Sequence, residues 1–517
     1  MAVSTFDIYN ASAGSGKTFT LVKDYLKIVL SSKKFLPHRH VLAITFTNKA
    51  VDEMKTRIIE ALMAFASPTI LDHPDALFTQ VVEELQNTPE EIHVKSKHLL
   101  SKILHNYAAF DISTIDKFTQ KIIRTFAFDL KLPMNFEVEL DTDHLLQKAV
   151  LRLLSKAGKN KALTKVLVDF AVEKADDDKS WNIALDLTKT AKLLTKETEA
   201  PFLLGLAKHS LSDFEALKES LAKEIYEAET QIVSASNQVL ELIISNGIEF
   251  SDFSRGSLPK HFKALASKKF DLSFSAQWQQ SIDTAPLYTQ KTTSHVASII
   301  DGLRPELIEA FLATKTIFYR LKYLKNIRKN TTPLSVINLI NKELKLIKEE
   351  DNLLLISEFN TIISQEIKDQ PAPFIYERIG EKFNHFFIDE FQDTSELQWE
   401  NLVPLITDTL AAENGSAMLV GDAKQAIYRW RGGRAEQFIS LYNNDTDLPF
   451  DAELSYLPTN YRSCREIVGF NNRFFKHLSK VAFSNQTYKE LYQASAQLEF
   501  TQKAGYVNIS FLEFEKG

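Results

Sequence analysis

A glycine- and lysine-containing loop near the start of the chain restricts the possible folds more than any other feature. The loop, Ala11–Thr18, follows the alternating apolar segment Phe6–Tyr9 and precedes apolar residues that recur at helical spacing from Phe19. In such a strand–loop–helix unit, backbone N–H groups bind phosphate, a lysine reaches the β- and γ-phosphates, and a hydroxyl binds Mg²⁺. The pattern predicts a nucleotide-binding α/β domain.

Each residue of the loop can be given a role in binding ATP and Mg²⁺, the predicted cofactors. Lys17 is the predicted phosphate-binding cation, and Thr18 is the predicted metal ligand. An incidental Gly–Ser turn is the alternative, but the flanking strand and helix favour a phosphate loop. The predicted nucleotide-binding residues are Ala11, Ser12, Ala13, Gly14, Ser15, Gly16, Lys17 and Thr18.

Two carboxylates follow a later apolar run, Phe386–Ile388. Nucleotide hydrolysis needs one carboxylate in the magnesium shell and another that orients or deprotonates the attacking water. Asp389 is predicted to bind the metal and Glu390 to activate the water. A lone Asp-Glu pair is more often a solvated helix start. The preceding apolar strand and the upstream phosphate loop favour the catalytic interpretation.

A third polar segment, residues 420–433, follows the apolar run Ala417–Val420. Its glutamine, Gln425, can report on a γ-phosphate through its amide. Aromatic and basic side chains alternate beyond it, as expected where a single nucleic-acid strand crosses a protein. Core aromatics in a turn are the alternative, which is stronger for Tyr428 than for Trp430. Arg431 supplies a predicted phosphate contact.

Composition limits the class of protein. A net charge of −6 argues against a generally basic surface but allows a local basic groove. The single cysteine, Cys464, excludes an intramolecular disulfide and indicates a reducing compartment. No apolar run reaches the ~20 residues needed to span a bilayer. We therefore expect a cytoplasmic protein without a membrane partner.

These segments together resemble the ordered motifs of superfamily 1 helicases of the UvrD/Rep/RecB group. The large middle insertion is more similar to the RecB- or AddA-like helicase–nuclease subunit than to UvrD. The six matching blocks are Ala11–Thr18, Thr45–Arg57, Ser113–Phe118, Asp389–Thr394, residues 420–433 and Asn460–Ser463.

The resemblance implies a fold and an activity. It implies a RecA-like parallel sheet with a phosphate loop (1–140 and 346–455), a large helical insertion (141–345), and the start of a second RecA-like domain (456–517). The implied activity is that of a DNA-dependent ATPase and 3′–5′ helicase acting on single-stranded DNA in double-strand-break repair and recombination. The implied partners are single-stranded DNA, DNA ends and a second helicase–nuclease subunit.

The resemblance also implies residue roles. Gln425 corresponds to the γ-phosphate sensor, Arg462 to an arginine finger, and Trp430 to the base-stacking aromatic. The residues that match positions touching the DNA backbone are Thr47, Asn48, Lys49 and Thr114.

This chain departs from the family pattern in several places. No glutamine precedes Ala11 to read adenine, and Asp116 stands where UvrD-type relatives usually have histidine. The last two helicase motifs and a nuclease domain are missing, so an N-terminal fragment is expected, with Val507–Leu512 as an unpaired apolar strand. An ATP- and DNA-end-binding module without translocation and an RNA-directed motor remain alternatives.

Overall fold

The computed structural model describes residues 6–176, 180–368, 379, 382–445, 448–501 and 503–512. By its internal contacts the chain divides into two units. The sheet unit comprises residues 1–140, 195–198 and 350–517, and the helical unit comprises residues 141–194 and 199–349.

Six strands of the sheet unit form one parallel sheet with the order β3-β2-β6-β7-β1-β8. Two smaller parallel pairs, β4 with β5 and β9 with β10, belong to the same unit. The strands are β1 Phe6–Ala11, β2 Val41–Thr45, β3 Ile112–Thr114, β4 Glu137–Glu139, β5 Leu353–Leu355, β6 His385–Ile388, β7 Ser416–Gly421, β8 Glu453–Leu457, β9 Thr459–Cys464 and β10 Leu498–Thr501.

Alternate residues of the central strands enter two separate cores, one on each face of the sheet. In β6, Phe386 and Ile388 join one core while Phe387 joins the other. In β7, Leu419 and Val420 divide in the same way. Period-2 alternation with both faces apolar is characteristic of a parallel sheet covered by helices on both sides. The prediction of such a sheet is confirmed.

Helices cover both faces of this sheet. Those that precede the helical unit are α1 Lys17–Ser31, α2 Asn48–Ala66, α3 Thr69–Asp72, α4 Ala76–Leu85, α5 Pro89–His105 and α6 Ile115–Thr125. Those that follow it are α16 Ile356–Lys368, α17 Glu396–Ala411, α18 Ala435–Tyr442, α19 Arg465–Val481 and α20 Gln486–Gln493.

The helical unit has a core of its own, formed mainly by α11, α12 and α14. The apolar positions predicted from Ile225 to Ile243 lie on α11, and most of them are buried there. Its helices are α7 Thr142–Leu154, α8 Lys161–Asp176, α9 Ala184–Ala191, α10 Ala200–Leu206, α11 Leu211–Ser245, α12 Ser257–Ala266, α13 Gln277–Gln280, α14 Ser294–Ser335 and α15 Ile337–Asp351. The segment 250–296, predicted to be rich in loops, contains the two short helices α12 and α13.

The C-terminal segment differs from the prediction. Residues 507–512 form no strand, and Ile509, Phe511 and Leu512 are exposed. A strand needs a neighbour to take its backbone hydrogen bonds, and an alternating apolar sequence does not provide one. Among the described residues, no helix is long and apolar enough to cross a membrane.

Candidate nucleotide and nucleic-acid site

The phosphate loop connects β1 to α1, as the sequence predicts. Gly14 and Gly16 adopt φ angles of +79° and +87°, a region that side chains with a Cβ rarely occupy. A Cβ on Gly14 would lie 2.9 Å from the Asn460 side chain. Both glycines are therefore required by backbone conformation, and Gly14 is also required by the close approach of Asn460.

The loop is chemically suited to phosphate. The Ser15 hydroxyl is buried, and it has no hydrogen-bond partner within the described residues. Buried polar groups are rarely left unpaired in native proteins, so this hydroxyl points to a polar ligand. Lys17 begins α1 directly after the loop, where N–H groups and the helix dipole favour an anion.

Lys17 is engaged by the predicted water-activating carboxylate. Its Nζ lies 3.1 Å from both carboxylate oxygens of Glu390. Glu390 has a left-handed φ of 52°, and its second oxygen also accepts a 2.7 Å hydrogen bond from the Gln392 amide. Cation and carboxylate thus neutralise each other across the loop, and a phosphate bound by Lys17 would compete with Glu390.

Asp389 lies at the end of β6, and its backbone N–H donates to the carbonyl of Ile44 on β2. Burial raises the pKa of Asp389 to about 7, and the negative charge of Glu390 adds to the rise. A bound cation would favour the ionised form, since carboxylate and hydroxyl oxygens are the ligands that Mg²⁺ prefers. Asp389 and Thr18 are the residues of this chain that fit such an ion.

Gln392 is a functional residue that sequence reasoning missed. Its side chain is buried between two strand ends, donating to Glu390 and accepting the Asp422 N–H at 2.9 Å. Asp422 in turn accepts from the amide of Gln425 at 2.7 Å and pairs with Lys424 at the same distance. The predicted γ-phosphate sensor is therefore tied to the carboxylate pair through one buried glutamine.

Asp393 was also missed, although it belongs to the same sequence block. Its carboxylate accepts the backbone N–H groups of Ile427 and Tyr428, at the start of the aromatic loop. Burial raises the pKa of Asp393 to about 6, while these hydrogen bonds counteract the rise. Asp393 fixes the position of the loop that carries Trp430.

The Asn460–Arg462 segment packs on the outside of the phosphate loop. The Tyr461 N–H donates to the carbonyl of Gly14 at 2.9 Å, and the Asn460 amide donates to the carbonyl of Ala13 at 3.2 Å. Gln497 reaches the same carbonyl of Ala13 at 3.0 Å. Arg462 is exposed, and no hydrogen bond or ion pair with another described residue engages its guanidinium. A cation thus lies beside the loop.

An aromatic and basic cluster lies at the same edge of the sheet. The rings of Phe46 and Tyr428 are 4.4 Å apart, and those of Tyr428 and Trp430 are 6.2 Å apart. The Arg431 guanidinium lies over Phe46 at 5.3 Å and over Trp430 at 5.9 Å. Trp430 is 73% exposed, so its ring is available for stacking. The structure brings these predicted contacts together.

The predicted backbone-contacting residues lie at the ends of two paired strands. Thr47 follows β2 and Thr114 ends β3, and each side chain caps a helix by accepting a backbone N–H. Asn48 and Lys49 are exposed in the first turn of α2. All four thus share the edge occupied by the aromatic cluster, since parallel strands end together.

Comparison with known proteins agrees with this arrangement. Residues 8–446 match the family model described as the UvrD/REP helicase N-terminal domain. Large subunits of ATP-dependent helicase/nucleases, those designated by the letter A, are similar over most of the chain. The one from Lactobacillus acidophilus is 25% identical over 93% of this chain and 40% of its own length. Those from Lactobacillus helveticus (26%, 96% and 40%) and Clostridioides difficile (25%, 93% and 38%) are comparable. The chain spans about two fifths of the length of these relatives.

Proposed function

Because the chain belongs to the UvrD/REP helicase family, we propose that it carries the ATP-binding part of a DNA-dependent ATPase and helicase. The observation that carries this proposal is the convergence of Lys17, Asp389 and Glu390 at one edge of the parallel sheet. Ligands bind at the carboxyl ends of strands in such sheets. The aromatic cluster at the same edge supplies a place for nucleic acid beside the nucleotide.

The residues of the chain divide the chemistry among them. The phosphate loop binds the phosphates and Lys17 neutralises their charge, while Thr18 and Asp389 would hold Mg²⁺, which stabilises negative charge on the transferred phosphoryl. Glu390 orients the attacking water and accepts its proton once Lys17 has turned to the phosphate. Gln425 and Arg462 contact the γ-phosphate from two sides, Arg462 as an arginine finger.

The proposed substrate is single-stranded DNA, along which the motor moves 3′ to 5′ in double-strand-break repair and recombination. Trp430 and Tyr428 stack on bases, while Lys49 and Arg431 contact phosphates together with the polar side chains of Thr47, Asn48 and Thr114. Relatives that are named as one subunit of an ATP-dependent helicase/nuclease support a second, different subunit for this chain too. DNA ends are the proposed loading site.

Lys17→Ala and Trp430→Ala separate the two halves of the proposal. Lys17→Ala should abolish ATP hydrolysis and weaken ATP binding while DNA binding persists. Trp430→Ala should weaken binding to an oligothymidine strand by about 1–3 kcal/mol, the range for one base–aromatic stack, with ATP binding retained. Wild-type protein that binds ATP and DNA ends but shows no DNA-stimulated hydrolysis would favour a non-translocating binding module instead.

A further inference from the structure

Asp116 occupies a position in the nucleic-acid edge that the proposed function leaves unexplained. It lies in the first turn of α6, and its Oδ2 is 3.6 Å from the guanidinium of Arg431. Its Oδ1 accepts a 3.3 Å hydrogen bond from the amide of Gln398. Gln398 is itself fixed by the capping box of α17, in which Ser395 bonds to Gln398 through side chain and backbone. The carboxylate is thus anchored beside a predicted DNA contact.

We propose that Asp116 restrains single-strand binding by competing with DNA phosphate for Arg431. This inference rests on the proposed function, because it requires Arg431 to contact a phosphate. A phosphate reaching Arg431 must displace the carboxylate or approach it closely. Like charges at that separation repel, and a guanidinium already paired with a carboxylate offers little net positive charge.

A purely orienting role for Asp116 is the main alternative, and the geometry argues against it. The ion pair is a single long contact rather than a bidentate one, and the side chains of Arg431 and Asp116 are 46% and 37% exposed. Exposed pairs of this kind constrain a side chain weakly. The rings of Phe46 and Trp430 continue to hold the guanidinium when the carboxylate is neutral.

Asp116→Asn tests the proposal because it removes the charge and keeps the acceptor for Gln398. Affinity for a fluorescent oligothymidine is measured at pH 8, where the carboxyl is ionised, with magnesium and no nucleotide. The variant should bind roughly two- to fivefold more tightly than wild type, the range expected for an exposed ion pair. Its affinity should also fall more steeply with salt, by up to about 0.7 in the log–log slope for one more neutralised phosphate.

Glu396→Gln is the matched control. Glu396 also lies in the first turn of a helix and pairs at 2.9 Å with an arginine of the same loop, Arg434, outside the aromatic cluster. Removing this charge should leave affinity and salt slope close to wild type. An equal gain in Glu396→Gln would show a general charge effect and overturn the proposal.

A double-mutant cycle with Arg431→Gln isolates the pair. Asp116→Asn should have no effect when Arg431 is absent, and Asp116→Ser should reproduce the gain if the asparagine variant is poorly folded. Unchanged or weaker binding in folded Asp116→Asn and Asp116→Ser overturns the competition. Wild-type protein that fails to bind the strand at all contradicts the proposed function instead.

Discussion

The carboxylate of Glu390 contacts both Lys17 and Gln392, so its removal should have two separable effects. Glu390→Gln should lower ATP hydrolysis by ~10²–10⁴-fold, the usual effect of losing a catalytic base. It should also tighten ATP binding by about fivefold, since an amide does not compete with phosphate for Lys17 as a carboxylate does. Single-turnover hydrolysis and equilibrium binding of a fluorescent ATP analogue measure the two effects. Weaker nucleotide binding in this variant would contradict the competition.

Asp393 should act on nucleic acid rather than on nucleotide, because its two backbone partners are Ile427 and Tyr428. Asp393→Ala leaves two N–H groups without their acceptor, which costs about 1–3 kcal/mol per buried group. We expect weaker single-strand binding and loss of DNA stimulation, with ATP affinity nearly unchanged. Asp393→Asn keeps an oxygen for these N–H groups and is the control, so it should retain most of the binding. Equal losses in both variants would indicate that charge matters more than the hydrogen bonds.

At the scale of elements, the local sequence predicts the central strands and the helices that follow them. Apolar runs such as Phe386–Ile388 are continuous enough to be recognised without knowledge of their neighbours. Val507–Leu512 has a similar pattern but forms no strand, because pairing depends on residues distant in sequence. Membership of β8 in the main sheet was unforeseen for the same reason: its partner, β1, lies more than 400 residues earlier.

The site shows the same division. The phosphate loop and the acidic pair can be found from the sequence because their chemistry is local to one strand end. The roles of Gln392 and Asp393 depend on backbone groups contributed by the following strand and loop. Nothing in their own neighbourhood of the sequence identifies those partners.

The α12 helix contains a titratable group that should make the helical unit sensitive to acid. His261 is buried among the rings of Phe262, Phe274, Trp278 and Phe311, and its Nε2 has no hydrogen-bond partner among the described residues. Burial lowers the pKa of His261 to about 4. The unfolded chain takes up a proton near pH 6.5, whereas the folded protein does so only near pH 4. The stability contributed by neutral His261 is therefore present above pH 6.5 and is lost as pH falls towards 4.

Hydrogen exchange in peptides from residues 257–318 measures this loss. Between pH 7 and pH 5, local stability should fall by on the order of 1–2 kcal/mol after correction for intrinsic exchange. His261→Phe keeps an aromatic ring in the cluster and removes the titration, so its peptides should lose less stability over the same interval. A variant with the same pH dependence as wild type would exclude His261 as the cause.

At the scale of the whole molecule, the sheet unit and the helical unit have separate hydrophobic cores. Every residue proposed to bind nucleotide belongs to the sheet unit. A ligand stabilises the state that binds it, by about 2.7 kcal/mol at one hundred times its dissociation constant. ATP with Mg²⁺ should therefore protect the backbone of the sheet unit against hydrogen exchange and leave α11 and α14 nearly unaffected.

One short segment should behave differently from the rest of the insertion. Residues 195–198 belong to the sheet unit although they interrupt the helical unit in sequence. Glu197 accepts a 2.7 Å hydrogen bond from Ser395 and a 3.3 Å hydrogen bond from Asn360. Because Ser395 follows the block that contains Glu390, protection by the Glu390→Gln variant bound to ATP should extend to 195–198. Glu197→Ala should abolish this protection and leave that of the phosphate loop. Protection that spreads equally over residues 211–335 would show that nucleotide binding stabilises both cores together.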